Sequence, residues 1–213
     1  MLNAQTLAAV STALGVGACI WLLAVNGLFK RLTIEKKKFG PYLLFYKNHV
    51  GPYKEVGPIF HDICKMAMQH GVSHNRKCGI YFDNPETTPG QECRSSIAVI
   101  AKEGKSIGTA AGLKEARTEM EGHPLATEHG LQVGYFPESL CHSLEFPFHG
   151  MLSILLGIMR CYPRLKQSLK SLEPCKVMGS LEVYDTNSHM MFITFPVDAR
   201  DDMLPFDAKS KTH

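Results

Sequence analysis

The sequence predicts an α+β protein in which two strand-helix-strand-strand modules share one antiparallel sheet, with two long helices on one face of the sheet. Residues 56–68 and 149–172 carry apolar side chains at helical spacing, and short apolar segments that fit strands flank each of them. Residues 7–29 contain no charged side chain, which predicts a single transmembrane helix before the modules.

The first module begins with a segment of aromatic and aliphatic residues, which is typical of a strand. Gly51 and Pro52 then turn the chain, and the amphipathic helix that follows ends before Gly71. Two more strands follow, separated by a loop that contains proline and glycine. The predicted elements are, in order, a strand at 42–50, a helix at 56–68 and strands at 77–82 and 94–101.

The second module follows a glycine-rich stretch, residues 102–130, in which only a short helix at 113–121 is predicted. Pro163 is expected to kink the long helix of this module near Cys161. The predicted elements are strands at 131–136 and 139–146, a helix at 149–172, and a hairpin of strands at 179–184 and 189–197 around an Asp-Thr-Asn turn.

The two modules also resemble each other locally, since IYFDN at 80–84 occupies the place of EVYDT at 182–186. Such a duplication favours two units that join edge to edge in one sheet, with both long helices on one face. The opposite face is then expected to be open, so that a ligand or a partner could lie across it.

The uncharged segment 7–29 is long enough to cross a hydrocarbon core of about 30 Å as a helix. Basic residues follow the segment and none precedes it, which predicts that residues 30–213 face the cytosol. The flank consists of Lys30, Arg31, Lys36, Lys37 and Lys38. The predicted organisation is a non-cytosolic terminus at 1–6, the span at 7–29, a basic juxtamembrane linker at 30–39, the folded domain at 40–198 and a short flexible tail at 199–213.

A cleaved signal peptide is the main alternative for the same segment. It would make the folded domain a luminal or secreted protein and its cysteines candidates for disulfides. The absence of a basic residue before the apolar segment, and the length of that segment, favour the membrane span instead.

Composition narrows the function classes. Outside residues 1–38 the chain carries 18 basic and 19 acidic residues, so the folded domain lacks the basic excess typical of nucleic-acid binding. The seven cysteines include no CxxC pair, which argues against a zinc or redox motif. His70 and His74 are four residues apart, but Gly71 lies between them and a shared metal site is not expected. We therefore expect no cofactor, no metal and no direct nucleic-acid partner.

Several short motifs, in their order and spacing, resemble the GyrI-like effector-binding family over about residues 5–198. The matching pieces are the N-terminal apolar segment, the H-x-G-x-Y segment of His49, Gly51 and Tyr53, the YFDNP sequence followed by Glu92, Cys93 and Arg94, the FPF sequence at 146–148 and LEVY at 181–184. Membrane-tethered members of this family serve as receptors in autophagy of the endoplasmic reticulum.

The resemblance implies a candidate ligand site. Ligand-binding members of the family place a carboxylate near the floor of a cleft, with aromatic side chains around it. Glu182 is the residue of this chain that fits that role, and Tyr184 and Tyr46 are candidates for the aromatic side chains. A buried carboxylate would need a partner. The alternative is that Glu182 lies on an edge strand and points to solvent.

The expected function is that of a single-pass membrane protein of the endoplasmic reticulum, whose cytosolic domain acts as a receptor or adaptor in reticulophagy and binds proteins of the autophagy machinery. The resemblance also raises a role in DNA–protein crosslink repair. The alternative is a small-molecule binder, or a weak hydrolase that uses the cleft around Glu182. No P-loop, GxSxG motif or catalytic triad is evident, so we do not expect an enzyme.

Overall fold

The computed structural model describes residues 3–169 and 179–197, and it is an α+β fold built on one eight-stranded antiparallel sheet. The strands follow the order β1-β6-β8-β7-β3-β4-β2-β5. The helices are α1 (Ala4–Val25), α2 (Val56–Gln69), α3 (Ala110–Glu121), α4 (Pro124–Thr127) and α5 (Met151–Leu169). The strands are β1 (Glu35–Phe39), β2 (Tyr42–Val50), β3 (Arg76–Tyr81), β4 (Arg94–Glu103), β5 (Gln132–Phe136), β6 (Ser139–Pro147), β7 (Ser180–Asp185) and β8 (Met190–Pro196).

The two long helices lie on the same face of the sheet, as predicted. The helix α2 packs on β2 and β4, where Leu43 and Phe45 point toward it, and α5 packs on β6 and β8. The helix α5 continues through Pro163 to Leu169, and residues 170–172 of the predicted helix lie outside the described residues. The central strands have apolar side chains on both sides, which is why the sheet is buried on both faces.

The opposite face of the sheet is closed, which contradicts the open face expected from the sequence. The connection Gly40-Pro41 joins β1, at one edge, to β2, which stands next to the other edge. A connection of two residues can join strands so far apart in the order only if the sheet curls. The inner face of the curl packs on itself, with the Tyr42 ring stacked on Phe136 at 6.0 Å between centroids and the Phe39 ring edge-on to Phe192 at 5.7 Å.

The N-terminal helix α1 ends at Val25, before the limit of the predicted span, because Asn26 and Gly27 turn the chain back onto the domain. The Asn26 side chain is 6% exposed and accepts a hydrogen bond from Ser153 Oγ at 2.6 Å. Gly27 has a φ of +96°, in the region that favours glycine. The apolar segment also includes many Ala, Gly, Ser and Thr residues, which add little hydropathy.

Among the described residues, no helix combines the length and the apolar character that a membrane crossing requires. This finding contradicts the transmembrane helix predicted at 7–29, and with it the single-pass protein of the endoplasmic reticulum membrane. The predicted juxtamembrane linker is also different, since Lys36, Lys37 and Lys38 lie on β1 and pair with β6. The tail at 199–213 lies outside the described residues.

Candidate ligand-binding site

A large cleft lies between α2 and α5, on the helical face of the sheet, with β3 and β7 as its floor. Its volume is about 1670 Å³. Pockets for drug-sized molecules usually measure roughly 300–1,000 Å³, so this cleft has room for a bulky ligand. The floor contributes Lys77, Tyr81, Ser180, Glu182 and Tyr184. The sequence predicted an open cleft on the face away from the helices, whereas this cleft lies between the helices.

Glu182 lies in the middle of this floor. It is 4% exposed, and its neighbours across the sheet are Gly79 on β3 and Ile193 on β8. Gly79 leaves space beside it for the Tyr81 side chain, since a Cβ at Gly79 would lie 2.8 Å from Tyr81 Oη. The strand β7 has a partner on each side, so the alternative of a solvent-facing Glu182 on an edge strand is wrong.

Three tyrosine hydroxyls donate hydrogen bonds to the Glu182 carboxylate. Tyr162 Oη, from α5, donates to Oε1 at 2.5 Å, and Tyr184 Oη donates to Oε2. Tyr81 provides the third hydroxyl. Tyr162 Oη also lies 2.9 Å from Ser180 Oγ. The arrangement therefore joins the sheet floor to α5 through one carboxylate.

Burial raises the pKa of Glu182 above its ordinary value, and the three tyrosine hydrogen bonds oppose that shift. The pKa values of Tyr81, Tyr162 and Tyr184 are raised well above the ordinary value for tyrosine, first by burial and then by the neighbouring Glu182 charge. The three hydroxyls therefore remain protonated donors. Within residues 3–169 and 179–197, no lysine, arginine or histidine forms an ion pair with Glu182.

Aromatic rings surround this carboxylate. The rings of Phe60 on α2 and Phe148 lie 5.6 Å and 5.2 Å from the Tyr184 ring, between centroids. Tyr53 packs edge-on against Tyr81 at 4.8 Å. Toward the mouth, α5 exposes apolar side chains that also line the cleft. These are Met151, Leu155, Ile158 and Met159. Most of the cleft surface is therefore apolar, although Lys54, Lys77 and Lys166 also line it, and the Glu182 carboxylate lies at its floor.

The wall between β3 and β4 is held by a half-buried ion pair. Asp83 accepts hydrogen bonds from the backbone N–H of Arg94 at 2.8 Å and from the Arg94 guanidinium at 2.9 Å through each carboxylate oxygen. Tyr53 Oη donates to the carbonyl oxygens of Asp83, at 2.8 Å, and of Arg94, at 3.1 Å. Asp83, Asn84 and neighbouring residues of this loop thereby form a fixed side of the cleft.

The structure brings two of the three predicted site residues together. Tyr184 contacts Glu182, whereas Tyr46 lies on the opposite face of the sheet, in the cluster that includes Leu44 and Ala98. The structure therefore does not bring Tyr46 to Glu182. Along β2 the side chains alternate between faces, and Tyr46 shares the parity of Leu44, while Phe45 points toward the helices.

Sequence reasoning missed Tyr81 and Tyr162. Tyr162 carried a usable signal, because it follows Ile154 and Ile158 at intervals of four and so continues the stripe of α5 that faces the cleft. The sequence carried no such signal for Tyr81, because its role depends on the pairing of β3 with β7, which are about a hundred residues apart.

Of the two histidines four residues apart, His70 lies beside His129, with 2.8 Å between the Nε2 atoms.

Comparison with known proteins identifies relatives. A family described as "GyrI-like small molecule binding domain" matches residues 32–149. Human testis-expressed protein 264 is 30% identical over 148 residues, which are 68% of this chain and 42% of that protein. The mouse homolog is 29% identical over 140 residues, 65% of this chain and 40% of that protein. The chain thus spans about two fifths of the length of these curated relatives.

Among solved structures, the cryo-EM structure of an EcmrR–DNA complex is similar, with a TM-score of 0.50 and 13% sequence identity. The match covers 89% of this chain and 67% of that chain. At this level of identity the similarity concerns the fold.

Proposed function

The chain belongs to the GyrI-like small molecule binding domain family, and from this premise we propose that its cleft binds an organic cation with an apolar body. The observation that carries the proposal is Glu182, a buried carboxylate at the floor of an apolar cleft without a cationic partner among the described residues. Taking an unpaired carboxylate out of water costs several kcal/mol. The tyrosine hydrogen bonds offset part of that cost, and a bound cation would offset more.

The walls of the cleft fit the same ligand. The rings of Phe60 and Tyr184 can place their faces toward a cation, an interaction worth about 2 kcal/mol when the cation is desolvated. The apolar side chains of α5 would bury the rest of the ligand. Since the cleft is open and most of its surface is apolar, we propose recognition by charge and apolar area, with little discrimination among bodies of similar size.

The test is a titration of the full chain with tetraphenylphosphonium, an apolar monovalent cation, followed by calorimetry. Triphenylphosphine oxide, a neutral molecule of related shape, is the control ligand. We expect the cation to bind at least about tenfold more tightly than the neutral molecule, since the charge interaction is worth about 1.5–3 kcal/mol. Glu182→Gln should remove this preference and leave the affinity for the neutral molecule nearly unchanged.

Two tyrosine variants sharpen the experiment. Tyr184→Phe keeps the ring but removes a hydroxyl that donates to Glu182, so we expect weaker binding of the cation through a changed carboxylate position and pKa. Tyr46→Phe is the matched control, because the same atom is removed on the opposite face of the sheet. Equal affinity of wild-type protein and Glu182→Gln for the cation would contradict the proposal.

We further propose that the cleft binds its ligand without converting it. The carboxylate and its tyrosine donors can hold a cation and orient it, and the raised pKa values of Tyr162 and Tyr184 make these hydroxyls poor nucleophiles. Recovery of an unchanged ligand after long incubation is the expected result. Consumption of a small electrophile that stops in Glu182→Gln would favour the hydrolase alternative instead.

A second candidate function is partner recruitment, and the identity with testis-expressed protein 264 is the observation that favours it. We propose that the chain acts as an adaptor for the autophagy machinery in turnover of the endoplasmic reticulum. A role in DNA–protein crosslink repair is a further proposal, to be tested by co-precipitation with proteins of that repair. Co-precipitation of tagged full-length chain with autophagy modifier proteins is the measurement. Recruitment that persists in Glu182→Gln would separate this function from ligand binding, and no recovery would contradict it.

A further inference from the structure

The basic residues that follow α1 separate into two groups in the structure. Lys37 pairs with Glu35 at 2.9 Å and with Glu145 at 3.4 Å, and Lys38 pairs with Glu138 at 2.6 Å. Lys30 and Arg31 instead line a cavity beside α5. Lys30 and Arg31 therefore take part neither in the strand pairing of β1 nor in the cleft around Glu182.

This cavity lies between the segment 29–34 and α5, and its volume is about 610 Å³. Its lining contains four cationic side chains and no acidic one. The lining residues are Phe29, Lys30, Arg31, Leu32, Thr33, Ile34, Arg160 and Arg164. It shares no lining residue with the cleft around Glu182. It is therefore a separate site, and Arg160 and Arg164 connect it to a helix that also borders the cleft.

None of the four cations has an ion-pair partner in the described part of the chain, residues 3–169 and 179–197. Arg160 is held in place by backbone oxygens, since its guanidinium donates to the carbonyl oxygens of Gly27 and of Lys30, the latter at 2.8 Å. The same guanidinium lies 5.9 Å from the centroid of the Phe146 ring. Arg160 thus fixes the segment that carries Lys30 and Arg31, while Arg31 and Arg164 are exposed.

Four like charges around one small cavity repel each other, and a bound anion would reduce that repulsion. Arginine is suited to phosphate because its planar guanidinium donates two parallel hydrogen bonds to phosphate oxygens. The apolar side chains of Phe29, Leu32 and Ile34 form the rest of the wall. A ligand for this cavity would therefore combine an anionic head with an apolar group.

We propose that this cavity binds a phosphomonoester attached to an apolar group. Arg31 and Arg164, from opposite walls, hold the phosphate, with Lys30 adding charge. Arg160 acts as a positioning residue through the backbone of Gly27 and Lys30. The apolar wall contacts the body of the ligand, which distinguishes such a molecule from inorganic phosphate.

The test is a titration of the full chain with phenyl phosphate, followed by calorimetry at low ionic strength, with inorganic phosphate and benzyl alcohol as partial ligands. We expect phenyl phosphate to bind more tightly than either. Arg31→Gln and Arg164→Gln should each weaken binding about tenfold, the effect of losing a hydrogen bond to a charged group. Arg117→Gln is the matched control, because Arg117 is an exposed arginine on α3 that pairs with Glu121.

Octyl phosphate, used below its micelle concentration, distinguishes a free phosphomonoester from the head of an amphiphile. If octyl phosphate binds more tightly than phenyl phosphate, the ligand is an amphiphile. If the two bind equally, the ligand is a small free ester. Both results support a phosphomonoester with an apolar group. Thermal melting without ligand checks that each variant is folded. Unchanged affinity in both Arg31→Gln and Arg164→Gln, or an effect of Arg117→Gln as large as theirs, would overturn the proposal.

Discussion

At the scale of single residues, Glu182 is where charge, burial and hydrogen bonding meet. The Glu182 side chain is 4% exposed, and glutamates are almost never buried to this degree unless they are paired. Here three tyrosines from β3, β7 and α5 donate to it. The cost of burying the charge is divided between these hydrogen bonds and, by our proposal, a cationic ligand. The residue is therefore better suited to binding than to stability.

This arrangement predicts how stability depends on pH. The pKa of Glu182 in the folded protein lies above its ordinary value of 4.5, because burial disfavours the charged form. As the pH rises from 4.5 through the folded pKa, the unfolded state loses its proton first, so the free energy of unfolding falls. Below 4.5 the stabilising contribution is fully present. We expect Glu182→Gln to lack this decrease.

The measurement is denaturant unfolding of both proteins across this pH range, without ligand. The difference in the free energy of unfolding between Glu182→Gln and wild type should grow by about 1.4 kcal/mol for each unit by which the folded pKa is raised. Glu121→Gln, the same chemical change at an exposed carboxylate on α3, is the control variant. If the free energies of unfolding of Glu182→Gln and wild type changed with pH in the same way, a raised pKa of Glu182 would be contradicted.

At the scale of elements, the end of α1 shows how a turn redirects an apolar helix. Gly27 has a positive φ, and a Cβ placed there would lie 2.5 Å from Cζ of Phe146. Asn26 is held by Ser153 and Gly27 by Arg160, both on α5. The helix therefore ends where α5 receives the chain, and this contact could not be anticipated from the uniform apolar character of the segment.

Two substitutions at glycines of the same segment should have opposite effects. Gly27→Ala forces a methyl group against Phe146 and strains a positive φ, so we expect destabilisation by about 1–3 kcal/mol. Gly15→Ala lies within α1, where nothing stands within 4 Å of the added Cβ, and should raise helix stability by up to about 1 kcal/mol.

Urea unfolding gives the free energies for this pair, and far-ultraviolet circular dichroism reports the helix content. Gly15→Ala serves as the control for Gly27→Ala because the chemical change is the same. Destabilisation of both variants by similar amounts would contradict the view that the turn at Gly27, and not the helix itself, is the constrained point.

At the scale of the whole molecule, the curled sheet determines which surfaces are available. Among the strands of residues 3–169 and 179–197, β1 pairs only with β6 and β5 only with β2, whereas β7 and β3 have partners on both sides. The inner face of the curl is filled by its own side chains, and the helices occupy the outer face. Space for a ligand is consequently left between the helices.

Amide hydrogen exchange should follow this order of strands. We expect the slowest exchange in β3 and β7, whose backbone groups are paired on both sides and buried on both faces, and faster exchange in β1 and β5. Mass spectrometry of peptides from the exchanged protein is the measurement. Equal protection of all strands would contradict the assignment of β1 and β5 as edge strands and would indicate a closed barrel.

The strands and long helices of both modules could be predicted from sequence alone, because apolar spacing differs between helices and strands, whereas the short helix α4 in the glycine-rich stretch was not predicted. The hairpin around Asp185 and the helix from Val56 are examples, and so is the placement of both long helices on one face. The strand β1 was missed, because three consecutive lysines hide its pairing with β6.

The family, the order of elements and the candidates Glu182 and Tyr184 could be inferred from local spacing and short motifs. Tertiary packing places the cleft between the helices, turns Tyr46 away from it and brings Tyr162 of α5 to Glu182. The physical reason is that strand alternation fixes side-chain faces only relative to each other. The curl of the sheet and the packing of the helices decide which face carries the cleft.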